Sequence, residues 1–435
     1  MVTLQKKQLK FNPKIQLSND GGKLSSHGGL LLVNEFLHTI NFKQMVTNLF
    51  SSATQTDYRR HSFSSLLTQC LFQTIEGYRA DNATTVLKND PVFTQALEKE
   101  KLASQSSLSR FWHKFDCGGV DKLDSLNRLL VKKIQDQCHI TELIIDLDST
   151  HSDTYGQQEQ TNYNAHYQTN GYHPLVAFDG INGTCLKAEL RSGNVYSSTG
   201  VRHFLEPLLS DYQHSLPNKE ILIRGDSGFA TPELYDLAEE AQAFYVIRLK
   251  SNNRLETTAE SFVTYGDDTN WLETESQYFD YFYQANSWSK PRRVAIQSTR
   301  HGLLFSHAFV VTNLSQNVSP KTVFDLYKKR GTMENYIKEI KTGFHFDKTD
   351  SPSFVANSER MMVSVLAYNI INAMKLMTFP KECRSWQINT IRLNLLRIAA
   401  KVTTHARKIR VQLTSSNVYD SIFWLIFKNI RTLPS

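Results

Sequence analysis

The sequence predicts an α/β core set between two helical regions, and three patterns lead there. Short apolar runs begin at Thr141 and recur as far as Lys250, helix-period segments precede and follow them, and acids close two of the runs. At 435 residues the chain is too long for one ordinary core and calls for two or three domains. Forty per cent apolar and 21% charged residues describe a folded globular protein.

From about Gly29 to Phe115 the chain reads as helices. GLLLVNEFLHTI, FSSLLTQCLFQTIEGY and SSLSRFWHKF each repeat apolar residues at steps of three and four. Ser106 or Ser107 is expected to cap a short helix carrying Arg110, His113 and Lys114. Such a helix suits a DNA-reading helix-turn-helix, and ordinary core packing explains the same letters. At Thr141 the pattern changes. ELIIDLDST reads as a strand ending at Ser149, and HPLVAFDG and TCLKAELRSGN follow as two more, the first turning at Asp179-Gly180. VRHFLEPLLSDYQ is an amphipathic helix and EILIRGDSG a buried strand running into a glycine turn. TPELYDLAEEAQ is a helix with Thr231 and Pro232 as its start, and AFYVIRLK is a further strand.

Three strands, a helix, a strand, a helix and a strand is the order of the ribonuclease H-like fold. The predicted organisation is therefore a helical region over 1–139, a ribonuclease H-like core over 140–251 and 319–375, a β-rich insertion over 252–318, and a basic helical tail over 376–435. The insertion is expected from QYFDYFYQA, RRVAIQSTR and LLFSHAFVVTNL, which lack helical periodicity. Helix resumes at about Lys321 and carries through Lys341.

Other features narrow the class. Cys70, Cys117, Cys138, Cys185 and Cys383 are scattered and odd in number, which argues against a disulfide framework and a structural zinc site. His151, His166 and His173 match no compact zinc spacing and are expected in hydrogen-bonded or surface roles. The segment MVTLQKKQLKFNPK lacks the apolar stretch of a signal peptide, and no run of about eighteen apolar residues suggests a membrane span. A cytoplasmic protein, working on DNA there, is the expectation. Net charge is +7, and Lys381 to Ser435 alone contributes +8, with ten Lys or Arg against Glu382 and Asp420. Within that tail Arg407, Lys408 and Arg410 are candidate DNA-backbone contacts, with solvation of a surface as an equal rival.

Phosphoryl transfer requires charge to be neutralised on both attacking and leaving oxygens. Two divalent ions roughly 3.5–4 Å apart do this, and carboxylates suit hard Mg²⁺. Three carboxylates stand where elements end. Asp148 closes LIIDLDST, with Asp146 on the same strand face as a secondary or strand-edge charge. Asp226 follows a buried strand in ILIRGDSGF, where an Asx turn or helix cap would also explain it. Glu334 belongs to YKKRGTMENYIKEIK, in which Tyr327, Arg330, Glu334, Lys338 and Lys341 form one stripe at about 100° per residue. A salt-bridged surface helix would also space Arg330, Glu334 and Lys338 by four.

Tyr-x2-Arg-x3-Glu-x6-Lys resembles the signature of a large group of bacterial insertion-sequence transposases with an Asp-Asp-Glu site. Asp148 before Ser-Thr, and Asp226 in Arg-Gly-Asp-Ser-Gly-Phe, resemble that group's first two acidic motifs. LSSHGGLLL from Leu24, EGYRADNA from Glu76, NDPVF from Asn89 and LASQSSLSRF from Leu102 resemble the insertion-sequence family numbered 1380. The resemblance spans about residues 20 to 375. It departs at His27, where an acid is usual, and at Ala80, where Asp is usual.

The resemblance implies a DNA transposase. Asp148, Asp226 and Glu334 would be its metal ligands and catalytic residues, holding two Mg²⁺ ions for which Mn²⁺ can substitute. Water would cut the element's end, and the freed 3′-hydroxyl would join target DNA in a cut-and-paste reaction, with a hairpin intermediate one possible route. Tyr327, Arg330, Lys338 and Lys341 would contact DNA phosphates beside the scissile bond. Trp288 of the insertion could stack on an unpaired base, and core packing is its alternative fate. The implied partners are double-stranded DNA, both terminal repeats and target, and a second copy of the chain in the DNA complex. A metal-dependent nuclease of the same fold and a non-catalytic DNA-binding derivative are the competing classes.

Overall fold

The computed structural model describes residues 7–50, 61–114, 117–215, 220–264, 273–302 and 304–434. The chain forms two compact units. One comprises Met1–Lys122, Gly343–His345 and Leu366–Ser435, and the other Leu123–Thr342 and Phe346–Val365.

The second unit is built on one eight-stranded sheet. Its strands are β1 (Leu143–Ser149), β2 (Leu175–Asp179), β3 (Cys185–Glu189), β4 (Ile221–Gly225), β5 (Phe244–Leu249), β6 (Glu275–Tyr283), β7 (Arg292–His301) and β8 (Leu304–Thr312). Their spatial order is β6-β7-β8-β5-β4-β1-β2-β3. β4 runs parallel to β1 and β5, and every other pairing is antiparallel. Leu147 of β1 lies opposite Gly225 of β4, so the next residues, Asp148 and Asp226, stand at the same level.

Apolar side chains hold this frame from both faces. Phe204, Leu205 and Leu208 of helix Val201–Ser215, with Leu234 and Leu237 of helix Pro232–Glu240, pack on Ile145, Leu147, Ile223 and Ile247. Each such residue fully buried contributes about 1.5–3 kcal/mol relative to exposure. Residues alternate across a strand, so Val246 points the other way. It joins Ala295, Val310 and helix residues Val323 and Phe324 on the opposite face. That second cluster clamps helix Pro320–Lys328, which carries Tyr327.

Two expectations are corrected here. The insertion carries three strands, and β8 pairs with the edge of β5, so they extend the main sheet and cover an otherwise open edge. It also contains a helix, Asn253–Phe262, capped by the Asn252 side chain. The expected single helix from Lys321 to Lys341 is two, Pro320–Lys328 and Thr332–Phe344, separated by a tighter turn at Lys329–Gly331. Gly331 carries a high helical cost, consistent with the break.

In the first unit, helices Leu30–Thr39, Phe42–Phe50, Phe63–Glu76 and Gln105–Trp112 follow the expected periodicity. The cap of the last is Ser104, which accepts from the Ser107 amide, and not Ser106 or Ser107. The tail is not wholly helical. Strands β9 (Ala400–His405) and β10 (Lys408–Leu413) form a hairpin, and β9 also pairs with Leu24–Ser25. Alternating Ala400 and Val402 face inward while Lys401 and Thr403 are exposed, a period of two and not of 3.6. Helix Asp420–Thr432 then closes the chain. Helix Phe354–Thr378 has the length and apolarity to cross a membrane, a feature the sequence reading passed over, yet 89% of its most apolar window is buried in protein.

Candidate active site

The site starts from two strand ends. Asp148 is the penultimate residue of β1, and Asp226 immediately follows β4. Asp226 turns the chain by accepting the Gly228 amide at 2.9 Å, so the capping role expected as its alternative is also performed. Asp148 accepts the Ser149 amide at 2.8 Å and an Arg330 Nη1–H at 3.0 Å. Burial pushes the Asp148 carboxyl above the ordinary carboxylate range; Arg330 opposes this, and the nearby charge of Asp226 adds to it. Two carboxylates sharing a half-buried corner call for cations, and Arg330 supplies one.

Helix Thr332–Phe344 lies along the end of β1. Lys341 donates to the His151 carbonyl at 2.7 Å and to the Thr150 hydroxyl at 3.3 Å. Glu334 and Lys341 are seven residues apart within this helix and share one side of it, while Arg330 stands before it in the turn Lys329–Gly331. Glu334 is exposed, and its carboxylate has no partner among the described residues. Lys338 is also exposed, while Tyr327 is half-buried against the cluster that includes Val323 and Phe324. Among the described residues no three His, Cys, Asp or Glu side chains converge to hold a metal ion together. The two strand acids thus meet at one corner, and Glu334, exposed on the neighbouring helix, forms no three-acid cluster with them among the described residues. The donor set still fits a hard divalent cation: oxygen ligands only, at paired strand ends, with a displaceable guanidinium at one of them.

A buried ion pair supports this corner. Asp146 and Arg224 are 0% and 1% exposed at their side chains and meet at 2.5 and 2.7 Å. Arg224 also donates to the Leu326 carbonyl at 2.8 Å, just before Tyr327. One guanidinium therefore ties β1, β4 and helix Pro320–Lys328 together, each within a few residues of Asp148, Asp226 or Arg330. Gly180 closes the pocket: a Cβ there would stand 2.4 Å from Arg224 Nη2 and 2.6 Å from Asp146 Oδ2. Sequence reasoning ranked Asp146 as secondary and missed Arg224. The signal was available as one charge of each sign inside two otherwise apolar strands.

Tyr167 was also missed. Its ring stacks on His151 at 4.8 Å and meets His166 edge-on at 4.8 Å. Burial raises its phenol pKa, and the charges of Asp148 and Asp226 raise it further, which sets it beside the acids. The three histidines take hydrogen-bonded places: His151 with Asp153 at 3.1 Å, His173 with the Val195 carbonyl at 2.8 Å, and the His166 amide with Asn164. Trp288 is 6% exposed and packs edge-on against Tyr235 and Tyr283, with the Arg292 guanidinium over its ring. Core packing is what the structure gives it, and base stacking would require it to leave that packing. Arg407, Lys408 and Arg410 lie on the β9–β10 hairpin of the other unit.

Paired strand-end carboxylates flanked by arginine and lysine make a site suited to phosphate esters and divalent ions. The family model for the transposase DDE domain, group 1, matches residues 7–435, and the chain belongs to that family. It is a DDE-domain transposase by descent. Among solved structures the chain is similar to a piggyBac transposase described as a synaptic complex with hairpin DNA, at 11% identity and a TM-score of 0.44, covering 90% of this chain and 81% of that one. No curated protein matches its sequence.

Proposed function

We propose that this chain cuts DNA at the ends of a mobile element and joins them to target DNA, as a cut-and-paste transposase of the group that includes the insertion-sequence family numbered 1380. One observation carries the reading: Asp148 and Asp226 emerge at the same level from neighbouring parallel strands, with Arg330 bound to the first. The strand order β3-β2-β1-β4-β5, with β2 antiparallel to both neighbours, supports a ribonuclease H-like core.

Asp148 and Asp226 would hold the metal, with Glu334 swinging in from the helix to complete the ligand set. Two Mg²⁺ ions, or Mn²⁺ in their place, would supply charge neutralisation at the attacking and leaving oxygens. The chain's own groups do the rest. Arg330, released from Asp148, would grip a phosphate with parallel hydrogen bonds, while Tyr327, Lys338 and Lys341 orient the backbone beside it. No protein nucleophile is required. Because two element ends must be brought together, the working form is a homodimer on duplex DNA, acting in the cytoplasm of a bacterium.

The test is cleavage and joining of a labelled duplex bearing the element's end, with Mg²⁺ and with EDTA. Metal-dependent nicks and joined products should appear with the wild type. They should fall by at least about a hundredfold in Asp226→Asn and Glu334→Gln, since these remove ligands and not fold. Cleavage that survives both substitutions would remove these residues from the reaction.

A further inference from the structure

The β9–β10 hairpin is two-faced in its charge. Its register pairs Lys401 with Gln412, Thr403 with Arg410, and His405 with Lys408, and cross-strand partners share a face. That face therefore carries Lys401, Thr403, His405, Lys408, Arg410 and Gln412. The other face carries Ala400 with Leu413, Val402 with Val411, and Thr404 with Ile409. Val402 is buried, whereas every residue from 403 to 410 is exposed. The hairpin is thus anchored at its base and free at its end.

Charge on this segment is unopposed. The sequence has no Asp or Glu between Glu382 and Asp420. Among the described residues Lys401, Arg407, Lys408 and Arg410 have no carboxylate partner. Other arginines of the segment are committed elsewhere: Arg392 donates to the Ile75 and Thr74 carbonyls, and Arg397 to that of Glu76.

The turn gives a second, independent observation. Ala406 and Arg407 have φ of 47° and 66°, so both central residues of this two-residue turn are left-handed. Such turns strongly favour Asn-Gly or Gly-Gly, because a Cβ is strained there. An arginine at the tip, where glycine would fold better, is a local conflict of the kind found at functional positions.

We infer that this hairpin is a DNA-reading β-ribbon: its polar, basic face enters a groove of duplex DNA, and Arg407 at the tip contacts the backbone or the groove floor. The inference rests on the transposase reading for the identity of the polyanion. Its geometry is its own. Two strands about 4.8 Å apart fit a major groove about 12 Å wide. Thr403, His405 and Gln412 offer hydrogen-bonding groups between cations that bind phosphates, which is the division of labour expected of sequence readout.

The experiment is fluorescence anisotropy of the full chain on labelled duplex and single-stranded DNA in EDTA, across a salt series. Lys408→Ala with Arg410→Ala should weaken duplex binding by about ten- to a hundredfold and lower the log–log salt slope by roughly two. A charge-matched control, Lys43→Ala with Lys88→Ala, should do neither. Arg407→Gly should weaken binding while leaving the melting temperature equal or higher, opposite directions that a purely structural turn would not produce. Ribbon variants that bind duplex as wild type does, with the same slope, overturn the inference. So does equal weakening on single-stranded DNA, since that has no groove. Because binding is read without metal, ribbon-independent binding beside intact cleavage would sink only this inference. Ribbon-dependent binding with no cleavage in Mg²⁺ would sink only the transposition chemistry.

Discussion

Two arginine–aspartate pairs stand two residues apart on β1 and differ in nearly every physical respect. Asp146 is gripped by Arg224 from the adjacent strand at two positions, and both side chains are out of solvent. Asp148 is held by Arg330 from a helical turn through one contact at 3.0 Å, with side chains 12% and 18% exposed. The first pair has no slack and no access. The second can open, because water reaches it and its arginine sits on a short turn between two helices. The comparison separates a charge pair that fixes geometry from one that, under the proposed function, would exchange its cation for a metal or a phosphate.

The largest change in stability should come from breaking the inner pair. Arg224→Met strips the buried Asp146 of its countercharge and hydrogen bonds, and loss of about 3–5 kcal/mol is expected in urea denaturation. Adding Asp146→Leu removes the stranded carboxyl and should restore most of that stability. The double variant still lacks the Arg224 bond to the Leu326 carbonyl. Its DNA cleavage should therefore remain down by about ten- to a hundredfold, because misplacing reacting groups by an ångström has that cost. A double variant as active as wild type would show that the pair supports the fold alone.

A third carboxyl, opposite Ile145 and beside Asp146, sharpens the contrast, because no arginine pairs with it among the described residues. Asp179, at the end of β2, is pushed up to about 6 by burial, against hydrogen bonds from the Ile181 amide and Asn182 that favour its ionised form. Its ordinary value is 3.8. Between these values the folded chain keeps a proton that the unfolded chain has released, so stability falls as pH rises through that window. The full loss above about pH 6 is roughly 3 kcal/mol. Asp179→Asn keeps an acceptor for the Ile181 amide but forfeits the Asn182 contact, so a net gain of about 1–2 kcal/mol at pH 7 is expected. No gain should appear below pH 4. Urea midpoints at the two pH values decide it, and a gain independent of pH would remove Asp179 titration as the cause.

How much of this was legible beforehand depended on the range of the interaction. Local patterns showed β1 to β5 and the acids at strand ends, because strand period and end positions are written in consecutive residues. The pairing of β8 with β5 was not visible, since nothing local says which edge an apolar strand will cover. The hairpin Ala400–Leu413 was misread because clustered Lys and Arg drew attention from the alternation of Ala400, Val402 and Thr404. Arg224 and Tyr167 were missed for a different reason. Each acquires its role only from a partner far along the chain: Asp146 for the first, His151 and the paired acids for the second. The turn at Lys329–Gly331 matters most for the site. A continuous helical stripe through Tyr327, Arg330 and Glu334 assumed one helix, whereas Arg330 sits in the turn and bonds Asp148 from there.

The outer pair should give the smallest change in stability and a large one in function. Arg330→Gln removes a single ion-pair contact at a carboxylate that water still reaches, whereas the inner pair is fully enclosed. Urea denaturation in EDTA should therefore show a loss well below that of Arg224→Met. Mg²⁺ provides the discriminating readout. If the guanidinium holds the place a cation takes at Asp148, removing it frees that carboxylate, and the rise in melting temperature on adding Mg²⁺ should be larger in Arg330→Gln than in wild type. Asp148→Asn should show no such rise. Cleavage by Arg330→Gln should nonetheless fall by about a hundredfold, because under the proposed function the phosphate would lose its bidentate partner. A variant that loses stability as Arg224→Met does would make Arg330 a second fixed pair, and the contrast along β1 would disappear.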